Sequence, residues 1–101
     1  MRSIVPNRGD VWFIEFSRRA GKELCERHPA VFLTTYNFNM MTSYAIVCPI
    51  THTISGNSFE VVIPAGLPVQ GAILIAQVRS IDWNLRIPER ALLLFVHFHP
   101  H

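Results

Sequence analysis

Residues 49–83 read PITHTISGNSFEVVIPAGLPVQGAILIAQVRSIDW, and this stretch decides the fold class. Short runs of β-branched and other apolar residues alternate in it with polar connections that contain Gly and Pro. A polar loop with Gly56 near its centre follows the first run, and the turn PAGLP at residues 64–68 follows the second. The pattern predicts short antiparallel strands joined by tight connections.

The residues on either side continue this pattern of strands and turns. Working outward, we predict five strands, at residues 9–16, 28–35, 43–50, 59–63 and 71–78. Residues 17–27 are polar and predict a surface loop, whereas 36–41 predict one helical turn capped by Asn37 or Asn39. Residues 79–83 are expected to carry the chain around the end of the sheet. Such spacing suits a small antiparallel barrel or sandwich, and it leaves both an SH3-like barrel and an OB-fold open.

Composition limits the class of protein. The chain has 101 residues, half of them apolar, and a formal net charge of +2. One domain over residues 1–101 can bury a modest core, and the apolar content argues against disorder. The longest apolar run, at residues 91–96, is too short to cross a bilayer. Cys25 and Cys48 fit neither a zinc pattern nor a disulfide framework, so we expect free thiols in a cytoplasmic protein.

The order of polar, Gly and Pro residues along the chain indicates the class of protein more specifically than the apolar pattern does. RGDVWFIEF stands at residues 8–16, HPAVFLT at 28–34, and the stretch 49–83 follows. In these motifs the chain resembles the MazF/PemK family, whose members are toxins and endoribonucleases of toxin–antitoxin pairs. The resemblance covers residues 6–85, whereas the tail at 86–101 departs from the family pattern.

The resemblance implies a fold, an activity and partners. The expected fold is mainly β, a small SH3-like antiparallel barrel with one or two short helices, and it is expected to form a homodimer. The expected activity is cleavage of single-stranded RNA, mRNA in particular, by attack of the ribose 2′-OH on the adjacent phosphate, with no metal or other cofactor. The expected protein partner is a cognate antitoxin whose acidic tail covers the RNA groove.

RNA cleavage of this kind needs a proton acceptor, a proton donor and groups that face the charged phosphate oxygens. Thr51 ends the Pro-Ile-Thr run, and the resemblance implies that it contacts the scissile phosphate. His28 stands where the family carries a catalytic Arg, and an imidazole can move protons but cannot make the bidentate phosphate contact of a guanidinium. Arg27 would face the other side of the strand. Glu23 lies where relatives carry a Glu near the site, and it is the third catalytic candidate.

Basic and polar side chains supply the candidate RNA contacts. Cations near a sheet edge suit the backbone phosphates of single-stranded RNA, and polar side chains suit the edges of splayed bases. The cationic candidates are Arg18, Arg19, Lys22, Arg27 and Arg79. The base-edge candidates are Asn37, His52, Ser55 and Asn57. Trp12, Phe16 and Phe59 have the pattern of core residues, and a structural role is expected for Asp82 and Trp83, whose indole N–H should find a partner.

Two departures from the family keep other functions open. His28 replaces the Arg, and Ala76 replaces a carboxylate in the run that follows the fifth predicted strand. A weakened relative that still binds antitoxin and a gyrase-inhibiting toxin on the same fold are therefore alternatives to the nuclease. The alternating His97, His99 and His101 could chelate Zn²⁺, but a tail without a metal site is expected.

Overall fold

The apolar runs form strands in the predicted order, with different boundaries. A computed structural model describes residues 4–17, 26–86 and 96–97. Its strands and helices are β1 (Asp10–Ser17), β2 (Glu26–Phe32), α1 (Tyr36–Thr42), β3 (Tyr44–Thr51), β4 (Glu60–Val62), β5 (Ala72–Leu74), β6 (Arg79–Asp82), α2 (Trp83–Arg86) and β7 (Val96–His97). β7 lies in the tail that departs from the family pattern, and it pairs with the start of β1.

All the strand pairs are antiparallel, and β3 is central to them. The hydrogen-bonded order is β4-β5-β3-β2-β1-β7, and β6 pairs with the first half of β3. β2 lies along one edge of β3, whereas β6 and β5 lie along the other. The predicted class, mainly β and antiparallel with two short helices, is confirmed. Among the described residues, the pairings leave the sheet open and do not close it into a barrel.

The sequence prediction was partly wrong for residues 71–83, the part of the chain that contains the last predicted strand. The fifth predicted strand, 71–78, ends at Leu74, and Ile75–Gln77 forms a 3-10 turn. Residues 79–83, expected to pass around the end of the sheet, begin with β6, which pairs with residues 44–47. An apolar run without Gly or Pro gives no turn signal, so the break at residues 75–77 was invisible in the sequence.

Helix α1 begins at a different cap from the predicted one. Thr35 is the N-cap, and its Oγ1 accepts a hydrogen bond from the Phe38 amide at 3.3 Å. The prediction that Asn37 or Asn39 caps this turn was wrong, because Asn39 lies inside the helix with its side chain buried. Ser43 ends the helix at a φ of 63°, and its amide donates to the Asn39 carbonyl at 3.0 Å.

Apolar residues pack on both faces of the sheet. On the large-cluster face, strands β1, β2, β3 and β6 and helix α2 contribute Trp12, Ile14, Phe16, Ala30, Phe32, Ala45, Val47, Ile81 and Trp83. The small-cluster face carries Val11, Val31, Cys48, Ile50 and Ile63. The core role predicted for Trp12 and Phe16 is confirmed, whereas that for Phe59 was wrong, since it is 67% exposed beside the edge strand β4. No helix of the described ranges is long and apolar enough to cross a membrane.

Asn39 joins several parts of the chain from inside α1. Its side chain is fully buried, and its Nδ2 donates to the Pro6 carbonyl at 2.8 Å and to the Thr34 carbonyl at 3.1 Å. Its Oδ1 accepts a hydrogen bond from the Thr34 hydroxyl. Its backbone carbonyl accepts from Trp83 Nε1 at 2.9 Å, which confirms the partner predicted for this indole. A buried polar group whose bonds are all made specifies one arrangement of the elements it joins.

We expect Asn39→Asp to destabilise the fold, because a carboxylate would place an acceptor against the Pro6 and Thr34 carbonyls. The expected loss is about 3 kcal/mol of unfolding free energy, the usual cost of a buried and unsatisfied charged group. Urea unfolding measures it. Asn37→Asp, at an exposed position of the same helix, is the matched control and should change stability by less than about 1 kcal/mol. Equal stabilities of the two variants would contradict this role for Asn39.

Candidate active site

Two predicted catalytic residues lie near the neighbouring ends of β2 and β3. β2 and β3 pair Ala30 with Pro49, and the same antiparallel register, continued by two positions, sets His28 opposite Thr51. Residues opposite each other in such a pair point to one face, with Cβ atoms about 5 Å apart. Side chains alternate between the two faces along a strand, so His28 lies on the same face as Ala30, and Thr51 on the same face as Val47. Both therefore extend the large-cluster face. Both are half-buried.

The Thr51 hydroxyl is held by its own loop. Its Oγ1 accepts a hydrogen bond from the Thr53 amide at 3.2 Å, as a Thr at the start of a loop often does. A hydroxyl that accepts a hydrogen bond keeps its own proton to donate. A substrate oxygen above the end of β3 can therefore accept from Thr51 while the loop keeps this side chain oriented.

Arg27 lies on the opposite face from His28. Its Nη2 is 3.0 Å from Glu15 Oε2, and its Nε donates to the same oxygen at 3.1 Å. The Glu15 side chain is 7% exposed and that of Arg27 is 58% exposed, so the pair covers a buried carboxylate. Arg27 lies four residues before Val31 in β2, so its side chain is on the same face as Val31, the small-cluster face. The structure therefore does not bring this predicted RNA contact together with His28.

A cation from β6, Arg79, lies on the His28 side instead, opposite Val47 in the β3–β6 register. The register between β1 and β2 shifts between Glu15 and Ser17, so Phe16 is the extra residue of a β-bulge. The Phe16 ring centroid is 6.2 Å from that of the His28 imidazole, with 52° between the planes. Arg79 Cζ lies over the same ring, 4.9 Å from its centroid, which is a cation–π distance. The structure therefore gathers His28, Phe16 and Arg79 at one end of the large-cluster face.

The loop between β3 and β4 contains three predicted base-contacting residues, and two of them are engaged within the loop. The Glu60 carboxylate accepts hydrogen bonds from the Ser55 amide at 3.1 Å, the Gly56 amide at 3.0 Å and the Ser55 hydroxyl at 2.8 Å. Asn57 Nδ2 donates to Ser55 Oγ at 2.9 Å. His52 is exposed at the start of the loop, beside Thr51. The bonds of Ser55 and Asn57 fix the shape of the loop, and His52 is the member of the three placed next to the predicted catalytic Thr.

Gly71 supports Thr51 from the neighbouring strand, and sequence analysis did not single it out. Its φ is 124°, and a Cβ added there would overlap the Thr51 carbonyl oxygen. Only glycine allows both this backbone conformation and this close approach. Glu15 was missed as well, because its partner Arg27 is recognised only through the cross-strand register. The sequence alone does not reveal that a Gly after a turn approaches another strand, or that a Glu in a strand pairs with an Arg.

Part of the predicted site lies outside the described residues. These predicted residues are Glu23, Arg18, Arg19 and Lys22. Within the described ranges, no group of three or more His, Cys, Asp or Glu residues could hold a metal ion. Burial raises the pKa of the Cys48 thiol, so the thiol stays protonated and is a poor nucleophile. The described candidates for chemistry are therefore the Thr, His and Arg of the large-cluster face.

Comparisons of sequence identify relatives of this chain. A family model described as a PemK-like, MazF-like toxin of type II toxin–antitoxin systems matches residues 7–94. The chain is 35% identical over 82 residues to the endoribonuclease toxin MazF of Escherichia coli K12, across 81% of this chain and 73% of that protein. The endoribonuclease MazF of Escherichia coli O157:H7 matches with the same identity and coverage.

Solved structures share the fold. A MazE–MazF complex from Deinococcus radiodurans matches with a TM-score of 0.76 and 32% identity, covering 91% of this chain and 89% of that chain. MazF from the same organism matches with a TM-score of 0.73 and 32% identity, covering 91% and 90%. A mycobacterial endoribonuclease in complex with its cognate antitoxin has the same fold at a TM-score of 0.65 and 13% identity, covering 88% and 85%.

The fold and these matches define the class of protein, a toxin of a type II toxin–antitoxin system. The predicted resemblance is confirmed. The chain belongs to the PemK-like, MazF-like toxin family, with 88% or more of its length covered by the structures above. The predicted class of enzyme, an endoribonuclease toxin, is confirmed at the level of this family.

We expect Gly71→Ala to destabilise the protein and to displace Thr51, because the added methyl group overlaps the Thr51 carbonyl. Gly66→Ala is the matched control, since Gly66 has a φ of 92° and no atom within 4 Å of the added Cβ. The control carries the conformational cost alone, about 1–2 kcal/mol. Gly71→Ala should cost roughly 2–5 kcal/mol, because overpacking is added. Equal unfolding free energies in urea would contradict the close approach.

The loop network predicts a dependence on pH. The Ser55 hydroxyl bond, helped by the Gly56 and Ser55 amides, lowers the pKa of Glu60 from its ordinary value. A carboxylate whose folded pKa is lowered stabilises the loop above its unfolded value, about 4.3, and this stabilisation is lost as the pH falls through the folded value. Hydrogen exchange should therefore show the Ser55 and Gly56 amides losing protection as the pH falls through the lowered pKa of Glu60, with the Ala72 amide of β5 as reference.

The control for this pH dependence is Glu60→Gln, which removes the titrating group. In the Glu60→Gln variant, the protection of the Ser55 and Gly56 amides should be the same above and below the pH at which wild type loses it. A loss of protection that persists in Glu60→Gln would contradict the assignment to this carboxylate.

Proposed function

We propose that this chain is a metal-independent endoribonuclease toxin that cuts single-stranded RNA, mRNA in particular, at a site formed by His28 and Thr51. The observation that carries the proposal is the β2–β3 register, which pairs Ala30 with Pro49 and, if continued by two positions, would set His28 opposite Thr51 on one face. Endoribonuclease relatives at 35% identity support the activity.

In the proposed reaction, the ribose 2′-OH attacks the adjacent phosphorus and the bond from phosphorus to the 5′ oxygen breaks. His28 takes or gives the proton, since an imidazole exchanges protons near neutral pH. The Thr51 hydroxyl donates to a non-bridging oxygen, which gains charge in the transition state. Glu23, or a basic residue of the same loop, is proposed as the second proton-transfer group. The products carry a 2′,3′-cyclic phosphate and a 5′-OH.

RNA is proposed to cross the accessible end of the large-cluster face, beside His28 and Thr51, where Arg79 would meet the backbone and His52 a base. Arg18, Arg19 and Lys22 are proposed to extend this contact, because each neutralised phosphate adds affinity. The relatives solved as a MazE–MazF complex and with a cognate antitoxin support an antitoxin partner for this chain too. We propose that the toxin acts as a homodimer in the cytoplasm, where mRNA is found.

The test is cleavage of a long single-stranded RNA by purified protein in EDTA, with sequencing of the cut ends. We expect wild type to cut at discrete sites. Thr51→Ala and His28→Ala should each slow cutting by roughly 10²-fold or more, the typical contribution of a positioned proton-transfer or oxyanion-stabilising group. Thr42→Ala, at an exposed position of α1, is the matched Thr→Ala control and should cut at the wild-type rate.

Other outcomes separate the alternatives. Activity seen only in His28→Arg would identify a weakened relative that lacks its catalytic cation. Absence of cutting in every variant would reject the nuclease and lead to an assay of gyrase inhibition, because one fold carries both toxin activities. Cutting that survives Thr51→Ala and His28→Ala would place the chemistry elsewhere on the molecule.

A further inference from the structure

Phe16 lies at the site, and the proposed mechanism gives it no part. It is the extra residue of the bulge between β1 and β2, and it is 6% exposed. It is also the shared neighbour of two functional groups, since its ring is 6.2 Å from the His28 ring and 4.9 Å from Arg79 Cζ. Arg79 comes from β6, which has no pairing with β1 among the described strands. The ring therefore joins groups from separate parts of the sheet.

Among the described residues, the Phe16 ring is the side-chain contact of the Arg79 guanidinium. Within the described part of the chain, Arg79 makes no ion pair and no side-chain hydrogen bond, and it is exposed. An Arg side chain without contacts samples many rotamers, and a partner that reduces their number before binding improves affinity. A guanidinium that lies over a ring still presents its N–H groups at its edge, where a phosphate can accept two of them.

The other nearby guanidinium is already engaged. Arg27 is bound to Glu15 on the small-cluster face, so the side of the sheet that carries His28 takes its described cation from Arg79. The imidazole of His28 cannot replace the fork of a guanidinium. A phosphate bound at His28 and Thr51 would therefore find its bidentate donor above Phe16.

We propose that Phe16 is a positioning residue, which holds Arg79 over its ring so that the guanidinium binds an RNA phosphate beside His28 and Thr51. This proposal rests on the proposed function, since it assumes that RNA crosses this face. It assigns the bulge a role, namely to turn an aromatic ring of β1 toward a cation of β6.

The test is binding of a mixed-sequence, single-stranded 2′-deoxy oligonucleotide, which lacks the attacking hydroxyl and so separates the phosphate contact from cleavage. Phe16→Leu and Arg79→Gln should each weaken binding by roughly three- to tenfold, the range of a partly exposed cation–π or charged hydrogen-bond contact. Phe16→Tyr keeps the ring and should bind like wild type. The double variant should bind no more weakly than Arg79→Gln alone, because Phe16 acts through Arg79.

The dependence on salt is the second readout, because a merely structural role would not change it. Loss of one phosphate contact lowers the slope of log K against log salt by about 0.7 for a single strand. Both Arg79→Gln and Phe16→Leu should show a reduced slope, and Phe16→Tyr should not. Thermal unfolding of each variant ensures that folded proteins are compared, and Phe16→Met replaces Phe16→Leu if the latter does not fold.

Two results would overturn the proposal. Losses that add fully in the double variant would mean that Phe16 contacts the nucleic acid itself, for example by stacking on a base. Unchanged binding and salt slope in Phe16→Leu would mean that the ring does not orient Arg79. If wild-type protein cuts RNA, either result rejects only the role of Phe16, whereas failure of the wild type to cut RNA rejects the nuclease.

Discussion

The buried amide of Asn39 is the interaction on which the rest of the structure depends. Its side chain is bonded to Thr34, just beyond β2, and its carbonyl is bonded to Trp83, just beyond β6. β2 and β6 lie on opposite edges of β3, so these bonds fix both strands relative to the central one. His28 and Arg79 lie near the other ends of the same two strands. The geometry of the site is therefore set from the opposite end of the sheet.

The central strands could be predicted from the sequence, and the edge of the sheet could not. β1, β2 and β3 each contribute buried apolar residues to both clusters, so their apolar runs match the pattern of a strand. Ile75 and Val78 continue the apolar run of β5, but they are 45% and 48% exposed and belong to a turn and its end. Phe59 was likewise predicted to be a core residue and is exposed beside the edge strand β4. A sequence does not record whether an apolar side chain at the sheet edge is covered, and this accounts for the errors there.

For the site, the sequence revealed those residues that have reactive side chains and stand at recognisable positions in a motif. It therefore suggested Thr51 and His28, which lie two residues beyond the Ala30–Pro49 pair on neighbouring strands. It did not reveal the residues that act through space. The bulge at Phe16 and the approach of Gly71 to β3 are tertiary features with no local signal. The contact of Ser55 with a base stays a prediction, and the hydrogen bond from its hydroxyl to Glu60 is a further tertiary feature without a local signal.

The arrangement separates two tasks that one guanidinium would combine. An Arg next to the scissile phosphate supplies charge and a fork of donors, but it does not give up its proton in a protein. In the proposed reaction, with His28 at the strand end and Arg79 over Phe16, proton transfer and charge neutralisation would fall to different side chains on different strands. Proton transfer then depends on the protonation of one imidazole, and affinity depends on salt through one cation. Because both side chains contact the Phe16 ring, a change at the bulge affects both tasks together, whereas a change at either side chain affects one.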